Sequence, residues 1–458
     1  MSAVIPIVRA GTPAAARQMS KLAGRLSAME RLDSAEYRKR VKSVFGKVLT
    51  PEQVVARILD DVRADGDAAL IAYSKRLDGV SLTPKTLRVS DADRRAAYRR
   101  TAPAVREALE FAARRIADYQ SRLMPSDISA KAAQHGPPGV KSGLRWSPLN
   151  RIGAYIPGGT AAYPSSVLMN IVPAQVAGVK EIAAITPCGR DGAVSDGVLC
   201  ACEILGIKEI YRLGGAQAIG ALAYGTKSVA PVDKIVGPGN LFVMLAKRAV
   251  FGRVDIDMLA GPSEVLVIAD TSANPAFVAA DLLAQAEHDG LASCVLLTDS
   301  LMLANAVASE LLAQLKDLPR RAIAQAALKN WGLIVVTRNL EQAVALSNQF
   351  APEHLELMTR SPRALIPQLH SAGAIFVGQH ATEPLGDYLA GPSHTLPTGA
   401  TARAFSGLSV FTFLRRTSII ECDAAGLEAL AEPITVLAAA EGLEAHRRAV
   451  VRRVSGRR

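Results

Sequence analysis

Short apolar runs of strand length alternate with helical periodicity along most of this chain. The runs are EIAAIT (181–186), EIYRLGG (209–215), KIVGPGN (234–240), EVLVIAD (264–270), SCVLLTD (293–299), LIVVT (333–337) and GAIFVG (373–378). Helical segments separate most of them, which predicts parallel sheets of the doubly wound kind, buried on both faces. Thr50-Pro51-Glu52-Gln53 reads as a capping box with proline at the first helical position. Val54, Val55, Ile58, Leu59 and Val62 then give one apolar helix face, Gly66 ends it, and Asp67 caps a second helix through Leu70 and Ile71. Asn274-Pro275 opens a helix predicted to reach about Asp289. Residues before about 50 are basic and helical in pattern, an arm rather than a core element, and after about 408 the pattern turns helical again.

Composition places this pattern in a globular protein. With 458 residues there is ample length for several domains, and 49% apolar against 21% charged residues is ordinary for a packed core. No apolar run approaches the roughly 20 residues that cross a bilayer, and MSAVIPIVRAG lacks the charged-then-apolar order of a secretory signal. Five cysteines without a CxxC pair suit reduced thiols, so a cytoplasmic location is expected. The net charge of +11 raises nucleic acid as a partner, but the basic residues are dispersed and aromatics make up only 5%. The tail HRRAVVRRVSGRR carries six arginines and reads as a solvated helix face with a frayed end. The expectation is no nucleic acid and no membrane.

Candidate chemistry lies in polar residues set into apolar surroundings. Gln285 and His288 in DLLAQAEHD are three apart in a helical pattern and share one face, with Asp281 a turn earlier. Together with Asp387 in GDYLAGPSHTLPTG and His446 in EGLEAH, they make a donor set suited to zinc or manganese. Glu353-His354 in APEHLEL is an adjacent acid–base pair. Each has a plain alternative: a solvent-facing stripe for 281/285/288, a glycine-flanked turn after a strand for Asp387, and a surface histidine for His446. Glu441 and His446 are five apart and would point differently on an unbroken helix, unless Gly442 interrupts it.

No GxGxxG fingerprint follows a strand and opens a helix. Glycine-rich loops do occur at GAYIPGGTAAYPSS (153–166), GGAQAIGALAYG (214–225) and VGPGN (236–240). Backbone N–H groups at such loops and helix N-termini can hold a pyrophosphate. Gln217 and Asn240 offer amides to a ribose or nicotinamide, and Tyr155 offers a flat surface. Each loop is equally readable as a strand-to-helix turn.

The chain resembles the histidinol dehydrogenase family over roughly residues 50 to 450. The resemblance is carried in order by PGGTAAYPSSVLMN, GGAQAIGALAYGT, VDKIVGPGN, DMLAGPSEVLVIAD, LLAQAEHD, APEHLEL, GDYLAGPSHTLPTG and EGLEAH. It implies two Rossmann-like parallel-sheet domains, one inserted in the other, with helical N- and C-terminal extensions. The implied divisions are an arm at 1–50, a first domain of 51–154 and 263–408 with the metal and catalytic residues, a second of 155–262 with the NAD contacts, and an extension at 409–458 exchanged in a homodimer. It implies one zinc per subunit on Gln285, His288, Asp387 and His446, and NAD contacts at Tyr155, Gln217 and Asn240. Substrate contacts fall at Ser263, Gln285, His288, His354, Asp387, Glu441 and His446, with Glu353 and His354 as the acid–base pair.

The reaction so implied is oxidation of L-histidinol to the aldehyde, hydration, and oxidation to L-histidine, each oxidation reducing one NAD. His354 as an imidazole near its usual pKa of about 6.5 would be largely neutral and able to take a proton, and Glu353 would activate the water. Cys294 in LASCVLLTD reads as a buried thiol rather than a nucleophile. Two further readings remain: a relative oxidising another alcohol, such as a sulfonated diol, and a silent metal- or nucleotide-binding homologue. Retention of Glu441 and His446 favours histidinol over the first, and the intact Glu353-His354 pair argues against the second.

Overall fold

The structure, a computed structural model, describes residues 4–25, 33–132, 134, 136–158, 163–259 and 261–455. Part of the glycine-rich loop, 159–162, and the tail end, 456–458, lie outside the described residues. Two compact units emerge, Met1–Arg122 with Asn150–Thr412, and Leu123–Leu149 with Phe413–Arg458.

The larger unit opens with strand β1 (Ile7–Arg9) and helices α1 (Pro13–Ala23), α2 (Ala35–Phe45), α3 (Pro51–Asp65), α4 (Asp67–Tyr73), α5 (Asp91–Arg100) and α6 (Pro103–Arg122). After β2 (Ile128–Ala132) and β3 (Val140–Pro148), which belong to the smaller unit, an alternating stretch follows. It runs β4 (Arg151–Tyr155), α7 (Pro164–Ala177), β5 (Glu181–Thr186), α8 (Asp196–Ile204), β6 (Glu209–Arg212), α9 (Gly215–Tyr224), β7 (Lys234–Val236), α10 (Leu241–Val250) and β8 (Asp255–Ile256). These strands form a parallel sheet in the order β6-β5-β4-β7-β8.

From residue 264 a second alternation builds β9 (Glu264–Ala269), α11 (Pro275–Ala286), β10 (Ser293–Thr298), α12 (Leu301–Gln314), α13 (Arg321–Trp331), β11 (Gly332–Val336), α14 (Leu340–Phe350), β12 (His354–Met358), β13 (Ala374–Val377) and α15 (Glu383–Tyr388). Its sheet, β1-β11-β10-β9-β12-β13, is parallel throughout. The five-stranded sheet is therefore inserted in sequence between β1 and the rest of the six-stranded one.

The apolar runs make this arrangement necessary. In β9, Val265 and Val267 pack with Val278 and Leu282 of α11 on one face, while Leu266 and Ile268 pack with Val344 and Phe350 of α14 on the other. Each such side chain contributes about 1.5–3 kcal/mol when fully buried. A slip of one residue would exchange the two faces.

The structure adds three details to this division. Beside its helices, the N-terminal stretch holds β1, which extends the six-stranded sheet with Ile7 opposite Ile334, and Ile5 is buried in its core. The apolar face of α3 joins Ala183, Ile185 and Leu222 in the core of the five-stranded sheet, and a boundary at 154 falls inside β4. The C-terminal extension holds a strand ahead of its helices. In the smaller unit β14 (Leu414–Cys422) runs antiparallel to β3, with β2 on the other side, before α16 (Ala424–Ala440) and α17 (Glu444–Val454).

Candidate active site

A cavity of about 710 Å³ opens where the two parallel sheets of the larger unit face each other end to end. The five-stranded sheet contributes the loops that follow its strands, Pro157 and Gly158 after β4 and Pro238, Gly239 and Asn240 after β7. The six-stranded sheet contributes the residues that begin its strands, Pro262 and Ser263 before β9 and Glu353 and His354 at β12.

His354 is 4% exposed and begins β12. Its Nδ1 lies 3.2 Å from the backbone oxygen of Glu264 and 3.3 Å from Oε1 of Gln285. Both partners are oxygens, and a carbonyl only accepts, so Nδ1 carries the proton and Nε2 keeps the lone pair. Burial lowers the pKa to about 3, so the ring is neutral because it is desolvated rather than because it is ordinary. Glu353 accepts a 2.9 Å bond at Oε2 from the Glu264 N–H, and lies 4.0 Å from His354. Burial, then the charges of Glu264 and Asp387, raises its proton affinity well above the usual carboxylate range.

Beside this pair, His288, Glu383 and Asp387 bring ligand-type atoms within 4.8 Å of one another. Glu383 is buried, lies 3.9 Å from His354, and leaves Oε2 without a hydrogen-bond partner. Burial, then neighbouring carboxylates, raises its pKa strongly, while burial raises that of Asp387 to about 6 against the opposing effect of His288. One imidazole and two carboxylates crowded this way, with a buried oxygen unsatisfied, fit a divalent cation. His394 adds a second imidazole, 3.9 Å from Asp387 and 3.3 Å from the Ser166 hydroxyl, and burial lowers its pKa to about 4. Gln285 is 0% exposed at the last turn of α11.

The residues read as nucleotide contacts are placed less uniformly. Asn240 lines the cavity and caps α10, its Oδ1 accepting from Phe242 and Val243 N–H. Tyr155 is buried and its hydroxyl accepts from Gly215 N–H at 3.3 Å, so it does not offer an open face. Gln217 is buried too; its Nε2 donates to Asp78 at 3.1 Å and its Oε1 has no partner. Glu441 and His446 lie in the smaller unit, exposed, on either side of Gly442, whose φ of +71° breaks the helix between them as its position suggested.

The family model for histidinol dehydrogenase matches residues 46–454. The chain is 52% identical over 422 residues to the histidinol dehydrogenase of Moorella thermoacetica, covering 92% of this chain and 98% of that one. It is 53% identical over 396 residues to that of Prochlorococcus marinus, covering 86% and 88%. The chain belongs to the histidinol dehydrogenase family. A crystal structure of histidinol dehydrogenase from Elizabethkingia anophelis superposes with a TM-score of 0.89 at 35% identity, covering 99% of both chains.

Against the histidinol dehydrogenase motifs, the structure refines several readings. The helix carrying Gln285 ends at Ala286, so His288 sits just beyond it, its N–H held by the Gln285 carbonyl at 3.2 Å. Asp387 is on a short helix, α15, rather than in a turn. Asp281 and Gln285 are buried, which excludes a solvent-facing stripe. Three residues escaped the motif reading. Glu383 stands one helical turn before Asp387, and that spacing was the available signal. His394 sits within GPSHTLPTG, and Arg25 comes from the N-terminal stretch to bond Glu264 at 2.7 Å and the Pro262 carbonyl at 2.8 Å.

Proposed function

We propose that this chain oxidises L-histidinol to L-histidine through the aldehyde, with two NAD reduced per substrate, in the last steps of histidine biosynthesis. The observation that carries this reading is the convergence of His354, Glu353, His288, Glu383 and Asp387 on one cavity in a chain of this family. Gln285, His288 and Asp387 would hold a zinc ion with His446, and Glu383 stands beside them. Bound there, zinc would supply a fixed positive charge that orients the imidazole and amine of the substrate, and NAD would supply the hydride acceptor.

His354 takes the alcohol proton at Nε2, since Nδ1–H is committed to Glu264. It repeats this with the hydrate. Glu353 takes a proton from the attacking water. Ser263, at the cavity wall, contacts the substrate, as would Glu441. Asn240 and the loops after β4 and β7 hold the dinucleotide, and the buried Gln217 and Tyr155 serve the same contact. The acidic lining attracts a cationic amine despite the net charge of +11.

The working form is a homodimer in which the C-terminal segments are exchanged, so that Glu441 and His446 serve a site in the second copy. The five free cysteines suit a reducing cytoplasm. No helix among the described residues is long and apolar enough to cross a membrane. Protein stripped by a chelator should lose histidinol-dependent NADH formation and regain it with zinc, yielding two NADH per histidinol. Activity indifferent to zinc would overturn the reading, and one NADH per substrate would leave an alcohol dehydrogenase.

A further inference from the structure

Strand β12 carries a second buried acid that the chemistry above does not use. Glu356 follows His354 by two residues, so both side chains leave the same face of the sheet, toward α11. It is 1% exposed, with the backbone N–H of Glu383 beside its carboxyl group. What it meets is the carboxyl group of Asp281, itself buried on α11 one turn before Gln285. Asp281 also accepts a 2.5 Å bond at Oδ1 from the hydroxyl of Thr382, the residue that leads into α15. Asp281, Glu356 and Thr382 do not line the cavity.

These contacts tie together the three elements that supply the site. Helix α11 leads to Gln285 and His288, β12 begins with His354, and α15 carries Glu383 and Asp387. We propose that Asp281 and Glu356, with Thr382, form a clasp that sets the relative positions of these elements and so fixes the metal donors and the base. The clasp is a positioning device, and it rests on the zinc-dependent reading above. Buried polar groups are expensive unless they are joined to each other, and outer partners of this kind typically change metal affinity or activity by about 10- to 100-fold when removed.

The test compares Glu356→Leu, Glu356→Gln and Thr382→Val in the full chain, reading zinc affinity by chelator competition alongside kcat, KM and Tm. Glu356→Leu should weaken zinc binding and lower kcat by about 10- to 100-fold, with KM for NAD unchanged. Glu356→Gln, whose amide can donate to Asp281, should bring zinc affinity back to within a few-fold of wild type. Thr382→Val should weaken zinc binding several-fold, and it decides the matter if Glu356→Leu does not fold. Zinc affinity unchanged in Glu356→Leu, whatever its Tm, overturns the clasp alone, as does a Gln variant no better than the Leu variant. Absence of zinc binding by the wild type overturns the functional reading and the clasp together.

Discussion

The imidazole of His354 and the main chain of Glu264 are locked by a 3.2 Å contact between Nδ1 and a carbonyl oxygen. Because the backbone of β9 fixes the tautomer, Nε2 is left as the basic nitrogen of the ring. Its neutrality comes from burial, so catalytic loss on mutation should reflect a missing proton acceptor rather than a missing charge.

Replacing His354 with Ala should therefore lower both oxidations, each by about 10²- to 10⁴-fold. Glu353→Gln should slow the aldehyde step more than the alcohol step, because only that step needs an activated water. Single-turnover assays started from histidinol and from the aldehyde check this. Equal losses in Glu353→Gln would contradict the division of labour.

Cys294→Ser should retain most of the activity. The thiol is fully buried in β10, between β9 and β11, and burial pushes its pKa up, so little thiolate exists to attack an aldehyde. A fall of several hundredfold in kcat with Tm intact would show a covalent role.

Gly237→Ala should damage the cavity wall that follows β7. Gly237 has φ of +107°, and an added Cβ would sit 2.1 Å from the Tyr155 carbonyl oxygen. Its N–H is bound to Asp257 at 2.7 Å and its carbonyl to Lys247 at 2.9 Å, so the backbone cannot swing aside. A loss of about 3 kcal/mol or more is expected from urea denaturation, or failure to accumulate soluble protein.

Asp78→Asn should flatten the pH dependence of stability. Burial raises the Asp78 pKa to about 6, partly offset by Arg40 and by the bond from Gln217. A raised carboxyl favours folding below its unfolded pKa of about 4, and that contribution is lost as pH rises through 6. The stability of the Asn variant relative to wild type should be about 1–2 kcal/mol more favourable at pH 8 than at pH 4. Parallel denaturation curves for both proteins at each pH would refute this.

Much of the sheet core was readable because β5, β9, β10 and β11 are continuous apolar runs that suit burial on both faces. Strand β12 escaped because it begins with His354 and contains Glu356, polar residues that break the apolar run. β14 escaped because most of its residues are exposed, so no alternation marks it. Among site residues, the Gln285, His288 and Glu353-His354 motifs were legible, whereas Glu383 and Arg25 gain meaning only when distant segments meet. Asp281 looked solvent-facing because sequence alone cannot show that Thr382 and a second carboxyl cover it.

The pairing of Ile7 with Ile334 sets an order of events during synthesis. Strand β1 leaves the ribosome well before its neighbour β11, which emerges only after the whole inserted sheet has been translated. The five-stranded layer can collapse on α3 while the leading strand is still waiting. Deleting the first ten residues would therefore spare early collapse and instead leave the far rim of the six-stranded sheet uncovered, inviting strand addition from other chains.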